Sequence, residues 1–379
     1  MKRRRIQTLR WKLALLLGSL VFCLLALEIG YYRLVDPFPF IPWSERNRTT
    51  HGNLMMYDAT LGWTGVPDGT APLVTENNRI WLAHNSRGFR DLEHDDRAGE
   101  GPAITFLGDS FTWGYEVEFE EMFVNRLRKH LSDHEVFNLA HQGYGTDQEL
   151  LTFLQWEGRV TPGLVVLMFT ENDVADNHFA RRYGRRKPKF EIVDDRLVLT
   201  GVPVPEDKAW ASPPRFSAPA AWKRTSANLL FRSHLLHDVY FRVRLLSQRM
   251  RGTVPGEIRR APGGGGMAPD LVPTSRILEE LRDAVERTES TLLVVFVPSK
   301  REVEEIGEYL PYQLEIAAVC RRLGVEHFDL APAFKRTWRR TYYRRGMHWN
   351  ARGHEVAARA LLPYLVREIG RHDSRLAEE

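Results

Sequence analysis

Two kinds of apolar pattern alternate along the chain. Short runs at Ala103–Leu107, Glu135–Leu139, Leu164–Thr170, Thr291–Val297 and Val325–Leu330 are largely apolar without a polar face, as expected of parallel strands covered on both sides. Between them lie segments with helical spacing: Glu121–Leu131, Thr146–Trp156, a stretch before Thr291, Val303–Leu323 and Asn350–Ile369. Strands alternating with helices predict an α/β fold, a three-layer doubly wound parallel sheet.

The front of the chain is patterned differently. Lys2-Arg3-Arg4-Arg5, Arg10 and Lys12 precede an uncharged run from Leu13 to Leu27, and Ile29–Tyr32 continue it past Glu28. Together they reach the roughly 20 residues that a bilayer requires. No small-x-small cleavage site follows, and Phe22 before Cys23 departs from a lipoprotein box, so an uncleaved signal anchor is preferred to a cleaved signal peptide. Basic residues ahead of the span hold that end in the cytoplasm. A single-pass protein of the cytoplasmic membrane, with its main domain on the extracytoplasmic side, is the expectation.

The expected organisation is therefore a basic tail and anchor at 1–35, a stalk and small amino-terminal β element at 36–100, and one large domain at 101–379. Val35–Thr50 has stalk composition; its Asn47-Arg48-Thr49 sequon has meaning only in a eukaryotic secretory pathway. Tyr57–Asp91 is punctuated by glycine and proline and ends in Asn85-Ser86-Arg87-Gly88-Phe89-Arg90-Asp91. The large domain carries a long insertion at about 177–275. In it Phe190–Thr200 reads as a hairpin turning near Asp194-Asp195, Asn228–Met250 has helical spacing, and Gly252–Pro273 reads as a loop. Four glycines at 263–266 do not form a phosphate cradle, since no strand precedes them and no Lys-Ser/Thr follows.

Composition narrows the function classes. A chain of 379 residues, 43% hydrophobic, can bury a sizeable core, and 53 basic against 49 acidic side chains leave a net charge of only +4. Direct nucleic-acid binding is not expected from so small an excess. The two cysteines, Cys23 in the apolar run and Cys320 in a helical segment, do not suggest a disulfide.

Four places at strand ends or just before a helix could carry chemistry: Ser110 in Gly108-Asp109-Ser110, Gly143 in Asn138–Gly145, Asn172 in Glu171-Asn172-Asp173, and His348 in Gly346–Asn350. A hydroxyl nucleophile, an imidazole base and donors from the Ser110 NH, the Gly143 NH and the Asn172 side chain are what acyl transfer through a tetrahedral intermediate requires. In this order and setting the chain resembles the SGNH, or GDSL-type, hydrolase family. Asn85–Asp91, Gly114, Tyr144–Gln148 and Asp173 are similar to its membrane-anchored bacterial branch.

The resemblance implies a flavodoxin-like SGNH fold and an ester hydrolase with Ser110 as nucleophile, Gly143 and Asn172 in the oxyanion hole and His348 as base. It implies no cofactor and no metal. An ester substrate is the expected partner, an acylated envelope polysaccharide first and a lipid second, with protein partners unspecified. One departure stands out. The family's Asp-x-x-His has Arg345 at the acidic position, and no acidic residue lies between Lys335 and His354. Three readings stay open: Asp329 supplies the orienting carboxylate, a backbone carbonyl does so and leaves a Ser-His dyad, or the site is a degenerate one that binds without turnover. An acyltransferase, or a silent module in polysaccharide assembly, is the alternative to an esterase.

Other residues have plainer readings. Ser110, Gly143 and Asn172 could be caps and turn residues; Asp109 and Asp173 read as structural hydrogen-bonders, and His141 as a packing residue. His348 and His354 are six apart, poor spacing for a helical metal pair. The basic run Arg181–Lys187 reads as a solvated loop, with attraction of an anionic glycan or lipid headgroup as its functional alternative.

Overall fold

A computed structural model describes residues 2–34, 54–75, 77–94, 102–159, 162–207, 271–306, 311–337, 340–343 and 346–378, with a few positions between 233 and 243. The predicted stalk, most of the Asn228–Met250 and Gly252–Pro273 segments, and Arg345 lie outside the described residues. The chain divides into two compact units.

The first unit contains α1 (Lys2–Leu34), whose 22-residue Arg10–Tyr31 portion holds an 18-residue window of mean hydropathy 2.4. At 1.5 Å per residue that portion is about 33 Å long, enough to cross a bilayer. It is the one helix among the described residues that is long and apolar enough to do so. Its Glu28 carboxylate accepts hydrogen bonds from Ser233 Oγ (2.7 Å) and Leu235 NH (3.2 Å).

The second unit carries the α/β core. Two antiparallel hairpins come first: β1 (Met55–Asp58) with β2 (Gly62–Gly65), and β3 (Thr70–Val74) with β4 (Arg79–Ala83). Then follow β5 (Ala103–Gly108), α2 (Ser110–Trp113), α3 (Phe123–Arg128), β6 (Glu135–Asn138), α4 (Thr146–Trp156), β7 (Pro162–Phe169) and α5 (Glu171–Asp176). The insertion contributes β8 (Arg181–Arg182), β9 (Arg185–Arg186), β10 (Lys189–Val193) and β11 (Arg196–Thr200). The core resumes with α6 (Val272–Glu286), β12 (Thr291–Phe296), a π-type turn Arg301–Ile306, α7 (Pro311–Leu323), β13 (Glu326–Asp329), α8 (Ala331–Arg336) and α9 (Ala351–Glu378).

The five-stranded sheet runs β13-β12-β7-β5-β6, all parallel. Each strand's alternate residues enter opposite layers. Leu107, Val165, Leu167, Leu292 and Val294 pack with Leu150 of α4, Ile277 and Leu281 of α6, and Ile316 of α7. Ile104, Phe106, Val166, Met168 and Val295 pack with Phe123 and Leu127 of α3 and with Ala357, Leu361 and Leu365 of α9. This double burial is why the strands read as continuous apolar runs. Two helical expectations are revised: Glu121–Leu131 is a 3-10 turn at Phe119–Glu121 followed by the short α3, and the Val303–Leu323 segment is split. The β10–β11 hairpin turns at Asp194-Asp195 as expected, both with positive φ (48° and 61°).

The Asn85–Asp91 piece has a defined task. Asn85 Oδ1 accepts from the NH groups of Arg87 (3.1 Å) and Phe89 (3.0 Å), closing a turn that turns Arg90 inward. Arg90 is 1% exposed, and its guanidinium donates to the carbonyls of Gly114, Trp113 (3.4 Å) and Val117 (2.7 Å). Burial lowers its pKa to about 10, which leaves it charged at neutral pH. Asp91 pairs with Arg128 and accepts from Asn138 NH (2.8 Å), tying the same piece to α3 and β6.

Removing the guanidinium leaves these buried carbonyls short of donors, each costing about 1–3 kcal/mol. Arg90→Ala is expected to lower unfolding free energy by about 3 kcal/mol or more in urea titration, and Arg90→Lys, with one point charge for three acceptors, by an intermediate amount.

Candidate active site

Ser110 follows β5, opening α2 immediately after Gly108 and Asp109. A Cβ on Gly108 would lie 2.3 Å from Thr112 Oγ1, so only glycine fits the tight turn. Asp109 caps α2, its Oδ1 accepting from Phe111 NH at 2.9 Å. The turn closes on Ser110's own carbonyl, which accepts from Gly114 NH (3.1 Å) and Tyr115 NH (2.9 Å).

His348 meets Ser110 across the sequence. Ser110 Oγ and His348 Nε2 are 2.8 Å apart, and the ring packs against Phe111 (5.1 Å between centroids) and Tyr115 (4.5 Å). Its segment is pinned to the residues before it: Tyr342 bridges Trp349, Tyr343 NH donates to the His348 carbonyl (3.0 Å), and Asn350 NH donates to the Thr341 carbonyl (3.0 Å). Asn350 Oδ1 caps α9 by accepting from Arg352 and Gly353 NH groups. Burial among these rings lowers the His348 pKa to about 4, so the imidazole is neutral near pH 7 and able to accept a proton.

Gly143 lies in the turn after β6 with φ +72°, under the ring of Tyr183; a Cβ there would come within 2.6 Å of that ring. His141 NH donates to the Gly108 carbonyl (3.1 Å), tying this turn to the end of β5. The amino-terminal hairpins support it: Trp63 Nε1 donates to the Gln142 carbonyl (3.0 Å), and the Tyr144 hydroxyl donates to the Trp63 carbonyl (2.6 Å). They also reach α2, where Trp113 Nε1 donates to His84 Nε2 (3.2 Å).

Asn172 follows β7. Its Nδ2 donates to Asp176 Oδ2 (3.1 Å), its Oδ1 faces Thr170 Oγ1 (3.0 Å), and the same hydroxyl lies 3.3 Å from Asp109 Oδ2. A polar chain thus links Asn172 to the residue before Ser110. Asp173 accepts from Thr170 NH (2.8 Å) in a capping box.

Four expectations change or sharpen on contact with these facts. Asp329 opens α8, its Oδ1 accepting Ala331 NH (2.8 Å), whereas the carboxylate that faces His348 Nδ1 is that of Glu116, at 3.9 Å. Glu116 sits on the turn after α2 and sequence reading passed over it; its nearness to the GDS block is the one signal that could have found it. The basic run is largely solvent-facing, as expected, but it is a paired hairpin and its last residue is buried. Arg181–Arg186 forms the β8–β9 hairpin, turning at Tyr183-Gly184 with φ of 49° and 77°. Arg181 and Arg186 pair with Asp207, Arg182 pairs with Asp176, and Lys187 is wholly buried against Asp147. His141 is 1% exposed, stacked on Tyr144, and held neutral by burial and by His84. His354 Nδ1 accepts Phe123 NH (3.2 Å) at the start of α3.

Beneath the site lie Asp109, Asp147, Glu149, Asp173 and Asp176, all buried. Burial pushes Asp109 up to about 7, against hydrogen bonds from Phe111, Thr170 and Asn172 that favour the anion, and Asp176 adds to the rise. A folded pKa raised above the unfolded value gives stability that is complete below about pH 4 and is lost as pH climbs through about 7. Asp109→Asn abolishes this titration while keeping an acceptor for Phe111 NH. Urea midpoints taken from pH 5 to pH 8 should show the variant gaining on the wild type as pH rises, by at most about 1.4 kcal/mol per pH unit.

A search of curated proteins returns no match. Among solved structures the chain is similar to a member of the lipolytic protein G-D-S-L family from Veillonella parvula, at 11% identity over 70% of this chain and 100% of that one, TM-score 0.40. It is similar to TesA, at 12% identity over 70% and 99%, TM-score 0.38. A third is a catalytic mutant of Axe2, an acetylxylan esterase from Geobacillus stearothermophilus, at 14% identity over 72% and 95%, TM-score 0.35. The profile of the GDSL-like lipase/acylhydrolase family matches residues 106–356, which take in β5 through the start of α9. With about two thirds of its length under that one profile, the chain belongs to the GDSL-like lipase/acylhydrolase family.

Proposed function

We propose that this protein is a membrane-anchored serine esterase that removes ester-linked acyl groups, O-acylated envelope polysaccharide being its substrate class. The observation that carries the proposal is the 2.8 Å contact between Ser110 Oγ and His348 Nε2, made by two loops 238 residues apart. A serine needs a base at that distance to be a nucleophile.

In this reading His348 Nε2 takes the hydroxyl proton as Ser110 Oγ attacks the ester carbonyl carbon. The resulting oxyanion is held by the NH groups of Ser110 and Gly143 and by the Asn172 amide. As the carbon–oxygen bond to the leaving alcohol breaks, His348 returns the proton to that oxygen. Water then attacks the acyl-enzyme, His348 taking its proton and passing it to Ser110 Oγ as the free acid departs. An acceptor hydroxyl in place of water makes the same site an acyltransferase.

Two features favour a glycan ester. Tyr183 is 63% exposed and its ring lies over Gly143, an aromatic face where the flank of a sugar could stack. The membrane-crossing helix α1, with basic residues Lys2–Arg5 before it, supports an extracytoplasmic setting in which envelope polymers are the abundant acylated material. The partition proposed for the chain is a tail and anchor at 1–35, a stalk and β element at 36–100, and the hydrolase domain from 101 onward.

The test is release of acetate from p-nitrophenyl acetate and acetylated glycans by the full-length protein and its Ser110→Ala variant. Loss of essentially all turnover in the variant, with fluorophosphonate labelling of wild-type Ser110, is expected. Equal rates for the two would refute the proposal and favour a binding module in polysaccharide assembly. Asn172→Ala, which removes one oxyanion donor, is expected to lower kcat by roughly 10²–10³-fold.

A further inference from the structure

We infer that Glu116 is the positioning residue that orients His348, in the place the family gives to the aspartate that Arg345 has replaced; the inference rests on the Ser110–His348 reading above. Glu116 Oε2 lies 3.9 Å from His348 Nδ1, on the ring edge opposite Ser110. Nucleophile and carboxylate therefore face the two different nitrogens of one imidazole, although the carboxylate comes from the nucleophile's own turn.

The backbone there is built around this residue. Glu116 is 4% exposed and has φ +68°, a left-handed conformation that a non-glycine residue adopts when its surroundings over-determine it. Gly114 and Tyr115 before it are bonded to the Ser110 carbonyl, while Arg90 holds the carbonyls of Gly114 and Val117 on either side. The Glu116 carbonyl accepts from the Tyr343 hydroxyl (2.7 Å), and the backbone NH of Tyr343 donates to the His348 carbonyl (3.0 Å). One buried tyrosine thus spans both loops and fixes the distance between carboxylate and imidazole.

The chemistry calls for such a group. When His348 takes the serine proton it becomes a cation in a nest of aromatic rings, where burial opposes charge. A carboxylate at Nδ1 stabilises that cation and fixes the tautomer with the proton on Nδ1, leaving Nε2 free to accept. Glu116 touches the histidine and not the ester, so it acts through His348.

The experiment compares the full-length wild type with Glu116→Gln, Glu116→Asp and Ser110→Ala in detergent, each checked for folding by its thermal melt. Turnover of p-nitrophenyl acetate and fluorophosphonate labelling of Ser110 are measured, along with the low-field proton NMR window in which a carboxylate-bound Nδ1–H resonates. Glu116→Gln is expected to lower kcat by about 10²–10⁴-fold with KM within threefold, to slow labelling in parallel, and to lose the low-field proton. Glu116→Asp should recover part of both signals. Glu116→Gln with kcat within threefold of wild type overturns the inference, and if Ser110→Ala is inactive the esterase reading survives it. Should the wild type have no turnover, the NMR decides separately: the proton must be present in wild type and in Ser110→Ala, and its absence from both overturns the inference.

Discussion

The site depends on where the parallel sheet reverses its winding. β5 pairs with β6 on one side and β7 on the other: the chain goes from β5 to β6, then crosses back past β5 to β7, so the winding reverses beside β5. The two crossover helices pack on opposite faces of the sheet, the arrangement in which open α/β sheets bind ligands at their strand ends. Ser110 follows β5, Gly143 follows β6 and Asn172 follows β7. Three residues of widely separated sequence position are brought to one edge by strand order alone. The same topology buries both faces of the sheet, which makes the strands rigid supports for what lies beyond them.

Around that edge the protein spends buried charge to shape its loops. Arg90 gathers carbonyls from the turn that follows Ser110, and Lys187 and Arg182 answer part of the carboxylate cluster beneath it. A buried guanidinium offers several donors in a plane, which suits carbonyls arranged around a turn. A buried lysine satisfies one or two acceptors, as Lys187 does with Asp147 and the Asp176 carbonyl. The amino-terminal hairpins contribute in the same way through Trp63 and His84, each bonded to a loop of the site. These small β elements are therefore part of the site's framework, although the family profile begins only at residue 106.

Tyr183 shows how an insertion can shape a site carried by the common core. It stands at the turn of a hairpin of two-residue strands whose arginines contact Asp176, Asp207 or Met55, and its ring covers the glycine of the second loop. Among the described residues the hairpin's charge is only partly answered, two carboxylates standing against four guanidinium groups, and Tyr183 adds an exposed aromatic ring over Gly143.

Much of this was legible in the chain alone. Apolar runs such as Leu164–Thr170 and Thr291–Val297 located the strands because burial on both faces removes polar positions, and α4 matches its predicted span of Thr146–Trp156. Turn residues after strands marked Ser110, Gly143 and Asn172 as candidates, and their order along the chain set them apart from ordinary caps and turn residues. The α3 and Val303–Leu323 segments were harder, because helical spacing persists through a 3-10 or π-type turn. Periodicity records which face of an element is buried; it carries no record of which polar groups meet. That Arg90 enters the core, that Lys187 finds Asp147 rather than solvent, and that Glu116 rather than Asp329 faces His348 were decided by tertiary structure. Each depends on a through-space pairing between loops, set by the path of the backbone and by the need to satisfy every buried charge.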